Sequence, residues 1–195
     1  MVITIGRQHG SNGHLVAKAL SERLGIPCFD KEIVDYAAEN SEYSKEIFNT
    51  YDEKRVNHFM VSSPHYVGMN EGFRLNMNIA SAQFDAIRAL ANTGGCIFVG
   101  RCADYVLRQR SDLISVFILG DLDARVNILC ERKGLDKASA TRLLKEVDKD
   151  RSSYYKYYTD QIWGEAENYD LCIDSLKIGV EGTVDVIEAY IKSCK

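Results

Sequence analysis

The chain alternates short apolar runs with longer stretches in which apolar residues recur every three or four positions. Residues 2–5, 26–29, 96–100 and 113–119 form near-continuous apolar runs, the signature of strands buried on both faces. A fifth short strand is predicted within residues 169–175. Between them, Leu15, Val16, Ala19, Leu20 and Leu24 share one helical stripe that stops at Gly25, a residue suited to a C-terminal cap. Residues 31–40 read as a second helix. Residues 73–91 read as a third, with Leu75, Ile79, Phe84, Ile87 and Leu90 on its apolar face. Residues 121–134 and 136–159 form two more, with Asp136 as an N-cap, and 181–194 an amphipathic last helix. Only residues 41–72 lack a firm period; they read as a partly helical, mobile insertion.

Strand followed by helix, five times over, predicts an α/β fold with a parallel sheet covered on both faces. Ligands in such sheets bind beyond the carboxyl ends of the strands. The residues there are the ones to inspect for chemistry.

Composition narrows the classes. A chain of 195 residues, 46% hydrophobic and 27% charged, fits a single globular domain, residues 1–195, with room for small insertions. Its formal charge of −4 gives no basic field for nucleic acid. The apolar runs are too short to span a bilayer, and "MVITIGRQ" enters a strand without a leader of signal type, so a cytoplasmic location is expected. The six cysteines show neither a CxxC nor a Cys/His ligand spacing, which argues against a disulfide framework or a zinc site.

The first strand runs into "GRQHGSNGHLVAKAL", residues 6–20. A strand, a glycine turn and a helix start aim backbone N–H groups and a helix dipole at one point, an arrangement that favours an anion. The lysine and Ser/Thr of the common phosphate loop, GxxxxGK[ST], are missing. After the second strand stand Asp30 and Lys31, and after the third "GRCAD", with Arg101 and Asp104. A strand-end arginine meets an anion with a planar fork. Arg142, Lys145 and Lys149 then share a helical face, followed by Arg151 and a run of tyrosines. Asp136, Glu146, Asp148 and Asp150 in that stretch oppose nucleic-acid binding, and a solvated helix face is the alternative reading.

In this order the features resemble the cytidylate kinase-like family of P-loop proteins, through "ITIGRQHGSNGHLVAKALSERLGIPCFDKEIVDYAA", "FVGRCADYVL", "LLKEVDKDRSSYYKYYT" and "NYDLCIDS". The resemblance implies a three-layer α/β/α P-loop NTPase fold with a five-stranded parallel sheet. It also implies a nucleoside monophosphate (NMP)-binding insertion at residues 31–92 and a lid-type segment at 134–160. The implied activity is transfer of the ATP γ-phosphate, with Mg²⁺, to a nucleoside monophosphate, CMP or dCMP first. The implied partner is a small nucleotide, with neither nucleic acid nor membrane.

Aligned to that family, Gly10 and Asn12 fall on loop glycines, Gly13 on the lysine and Leu15 where a Thr often stands. Gly10, Ser11, Asn12, Gly13, His14, Leu15 and Arg132 are thereby implied to hold the nucleotide, and Asp30, Lys31, Arg101 and Asp104 the acceptor. Arg7, His14, Arg142 and Arg151 are implied in catalysis, and Ser11 and Asp104 in Mg²⁺ binding. Cys102 stands for the aspartate of the family's GRD, Lys31 for a serine, and Tyr36 for a phosphate-contacting arginine. These departures leave two alternatives open: a nucleotide-binding regulator that has lost transfer, and a P-loop kinase of another small acceptor.

Overall fold

The computed structural model describes residues 1–55 and 69–194. The insertion expected over residues 41–72 therefore lies partly outside the described residues. Five parallel strands form one sheet: β1 (Val2–Arg7), β2 (Cys28–Phe29), β3 (Cys96–Val99), β4 (Leu113–Leu119) and β5 (Leu171–Asp174). Their order is β2-β3-β1-β4-β5, so the chain reverses its winding direction beside β1. That switch point is where a parallel sheet opens a ligand crevice.

Both faces of the sheet are covered. Alternate residues Ile3, Ile5, Ile97, Val99, Val116 and Ile118 pack against α1 (Gly13–Leu24) and α8 (Ser175–Ser193). Val2, Cys96 and Phe98 point the other way, onto α2 (Glu32–Glu39), α3 (Lys45–Tyr51) and α4 (Met69–Ala91). Two-sided burial explains why these strands read as unbroken apolar runs. Among the described residues the remaining α-helices are α5 (Ala103–Val106), α6 (Leu122–Lys133) and α7 (Lys137–Thr159), with a short 3-10 helix at Ala166–Asn168.

The differences from the periodicity are local. β1 continues through Gly6 and Arg7, which pair with Phe117 and Ile118 of β4, so Arg7 belongs to the strand and not to the loop. Helix α3, invisible as a period, is fixed by Phe48, a fully buried anchor. α8 starts at Ser175 and carries a kink at Gly179. Residues 134–160, read as lid-type, comprise the Gly134 cap and the single helix α7. α7 rests on α6 through Ala140 and Leu144 against Val126 and Leu129.

Candidate active site

Beyond β1 the chain makes a tight turn, with Gly10 and Asn12 both at positive φ (79° and 62°) before α1 begins. The turn is pinned from inside. Ser11 is fully buried; its hydroxyl lies 2.8 Å from the Gln8 carbonyl and 3.1 Å from that of Ile118, and the Ser175 hydroxyl donates to the Ser11 carbonyl. The first N–H groups of α1 have no intrahelical partner, and the positive end of its dipole faces outward. They border a cleft of about 240 Å³ that Arg132, Lys133 and Arg151 also line. A helix start beside cations is an arrangement suited to an anion.

A second cleft, of about 290 Å³, lies beside it and is lined by Arg7, Asp30, Lys31, Asp52, Glu53 and Arg101, among others. Arg151 borders both clefts. Arg7 Nη1 donates to Glu53 Oε1 at 2.6 Å; Arg151 Nε donates to Glu53 Oε2, and Arg151 Nη1 to the Arg7 carbonyl, each at 3.2 Å. Arg101, only 2% exposed, grips Asp52 with Nε and Nη2 at 2.9 and 2.7 Å. Its Nη1 reaches Asp30 Oδ1 at 2.9 Å and the Val99 carbonyl at 3.1 Å.

Three guanidinium groups thus face three carboxylates in a half-dry pocket. Burial raises the Glu53 carboxyl, but Arg7, Arg151 and Arg101 together outweigh it and hold it well below the usual carboxylate range. Burial also opposes ionisation of Asp30, and Arg7 and Arg101 bring it down. At Asp52 burial wins over Arg101, and the carboxyl is raised.

The expected site residues divide. Gly10, Asn12, Gly13, His14, Leu15 and Arg132 line the first cleft, and Arg132 donates to Asn12 Oδ1 at 2.8 Å. Asp30, Lys31, Arg101 and Arg7 line the second. His14 Nδ1 stands 2.9 Å from Asp30 Oδ2, tying the loop to the end of β2. Arg142 is exposed on α7 and borders neither cleft.

Ser11 and Asp104, expected to share Mg²⁺, are not brought together. The Ser11 hydroxyl is spent on two carbonyls inside the turn. Asp104 accepts from the Tyr155 hydroxyl at 2.6 Å and lines a small cavity that adjoins the second cleft at Glu53, Arg101 and Arg151, where burial raises its carboxyl. Among the described residues no group of three or more His, Cys, Asp or Glu is gathered as a metal cage. Tyr36, at the position of a family arginine, packs against the core beneath α2.

Sequence reasoning missed Asp52 and Glu53, which follow α3 in a stretch without period; it gave no role to His9 or Arg125 and read Asp148 only as a charge opposing nucleic acid. Asp148 accepts from the His9 N–H at 2.7 Å and from Arg125 Nη1 at 2.6 Å, fastening α7 and α6 to the loop. No local pattern marks any of them; their partners are distant in the chain.

The sequence pattern of the cytidylate kinase-like family matches residues 2–177. The chain belongs to that family. It is 30% identical to a cytidylate kinase of Methanococcus vannielii over 98% of this chain and 100% of the relative. It is 27% identical to a cytidylate kinase of Methanothrix thermoacetophila over the full length of both. Among solved structures, an uncharacterized protein from Eubacterium ventriosum is 33% identical with a TM-score of 0.76, covering 99% of each chain. A shikimate kinase from Bacteroides thetaiotaomicron, 12% identical with a TM-score of 0.59 over 98% of each chain, shares the fold. The chain thus shares the fold of P-loop kinases.

Proposed function

We propose that this protein is an ATP-dependent phosphotransferase, with a nucleoside monophosphate, CMP or dCMP first, as acceptor. The observation that carries the reading is the pair of adjoining clefts that share Arg151. The cleft bordered by the turn and the start of α1 takes the ATP phosphates, helped by Arg132 and Lys133. The cleft holding Arg101, Asp30 and Lys31 takes the acceptor. Arg7 and Arg151, at the junction, stabilise charge on the moving phosphoryl group. Positioning and charge stabilisation are nearly all that this chemistry requires of a protein. An acceptor phosphate oxygen forms the new bond to the γ-phosphorus, and the bond to the β–γ bridging oxygen breaks, leaving ADP. No general base is needed for an acceptor that is already an anion. Mg²⁺, when bound, would neutralise phosphate charge; the phosphate oxygens and water supply most of its ligands in such sites.

A second reading has one observation of its own. Arg101 is already saturated by Asp30 and Asp52, which favours a hydroxyl-bearing acceptor whose hydroxyl those carboxylates would hold. The test for both is purified protein with ATP and Mg²⁺ against nucleoside monophosphates and small alcohols, scored for ADP. Turnover with CMP or dCMP, reduced at least tenfold in Arg101→Ala, supports the first; turnover only with an alcohol supports the second. Saturable ATP binding without any acceptor-dependent ADP overturns both and leaves a nucleotide-binding regulator.

A further inference from the structure

Glu53 sits where three elements converge. Its Oε1 accepts from Arg7 at the end of β1 and, at 3.0 Å, from the backbone N–H of Arg101 after β3, while Oε2 accepts from Arg151 on α7. Two guanidinium groups and a backbone amide around one small anion are the donor set that proteins use for a phosphoryl group. The seat is closely fitted. A Cβ placed on Gly100 would lie 2.1 Å from Glu53 Oε1 and 2.0 Å from Arg7 Nη1, so only glycine lets the carboxylate and guanidinium approach this floor. Glu53 itself holds φ +50°, a conformation that non-glycine residues seldom adopt unless their surroundings impose it.

We propose that Glu53 is an internal stand-in for a phosphoryl anion, filling a seat made by Arg7, Arg151 and the Arg101 N–H, and that substrate phosphate enters this seat by displacing its carboxylate. The charge pattern favours the exchange. Arg101 stays neutralised by Asp30 and Asp52 after Glu53 leaves, whereas Arg7 and Arg151 lose their carboxylate partner and offer two cations to the newcomer. With Glu53 in place the cluster is balanced and an incoming phosphate gains little. With it displaced, the junction between the two clefts becomes electropositive. The inference rests on the phosphotransferase reading for the identity of the physiological anion, but the exchange itself is read without turnover.

The probe is inorganic phosphate, titrated calorimetrically at constant ionic strength into wild-type protein, Glu53→Gln and the double variant Arg7→Gln/Glu53→Gln. Glu53→Gln keeps the side-chain shape and removes the charge, so it is expected to bind phosphate at least tenfold more tightly than wild type, and the double variant is expected to lose that gain. Equal or weaker affinity in a folded Glu53→Gln overturns the proposal and makes Glu53 a structural tie. Should Glu53→Gln fail to fold, a crystal of the wild-type chain grown with millimolar phosphate decides. Phosphate between Arg7 and Arg151, with Glu53 turned out, supports the exchange. Glu53 still on both arginines with phosphate bound elsewhere, or not at all, ends it. Gain of phosphate affinity in a protein inactive with every acceptor would sink the kinase reading alone, and turnover without that gain would sink only the exchange.

Discussion

The stem of Arg7 occupies the space that any side chain at Gly13 would need. A Cβ on Gly13 would lie 2.5 Å from the Arg7 Cβ and 2.9 Å from its Cγ. Any side chain at Gly13 and the Arg7 stem therefore exclude each other. The Arg7 guanidinium itself reaches on to Glu53 in the second cleft.

This exclusion makes a reciprocal prediction. Gly13→Ala should lower stability by about 1–3 kcal/mol, as overpacking against a buried stem does. Adding Arg7→Gly, which clears the space, should recover part of that loss relative to Arg7→Gly alone. Chemical denaturation of the four proteins measures the coupling, and a fully additive cycle would refute the exclusion.

Arg101→Ala should destabilise the fold by about 3–5 kcal/mol near neutral pH, because it strands Asp30 and Asp52 without their buried counter-charge. Both carboxyls then have raised folded pKa values, so the penalty shrinks as the pH falls and they protonate. Urea midpoints of wild type and variant at pH 7.5 and 5 test this; a deficit that grows at pH 5 contradicts it.

His9 predicts a pH dependence of its own. Burial, then the charges of Arg151 and Lys133, push its imidazole down to about 4, and its buried Nε2 has no hydrogen-bond partner among the described residues. The unfolded chain protonates His9 near pH 6.5 and the folded chain only near pH 4, so stability falls with pH between those values. Discounting for its partial exposure, wild type should lose about 1 kcal/mol more than His9→Gln between pH 7.5 and 5. Parallel losses in thermal melts of the two proteins would dismiss the assignment.

Asp148→Asn should cost about 2–3 kcal/mol, since it weakens the charge-assisted bonds to Arg125 and to the His9 N–H. Because these bonds fasten α7 to the loop, the rise in melting temperature expected from ATP under the proposed function should shrink in the same variant. An unchanged ATP-induced shift would separate the clamp from the phosphate seat.

The amino-acid sequence by itself determined the strands that are buried on both faces, the glycine turn and first helix, and the strand-end positions of Asp30 and Arg101. Those features are set by local periodicity and by residues a few positions apart, which is the range over which apolar pattern and turn chemistry act. The family likeness placed the chemistry on one end of the sheet, but it left the missing lysine unexplained and offered Ser11 and Asp104 to a metal. Only the tertiary structure shows what these side chains touch. It buried the Ser11 hydroxyl against Ile118, turned Asp104 to Tyr155, and set Arg7 into the space opposite Gly13. It also delivered Asp52 and Glu53 to Arg101, Arg7 and Arg151 from an aperiodic stretch. Those pairings join residues 46 to 98 positions apart. Charge pairing at that separation leaves no period in a chain, because it is specified by where the sheet and helices bring each side chain rather than by its neighbours in sequence.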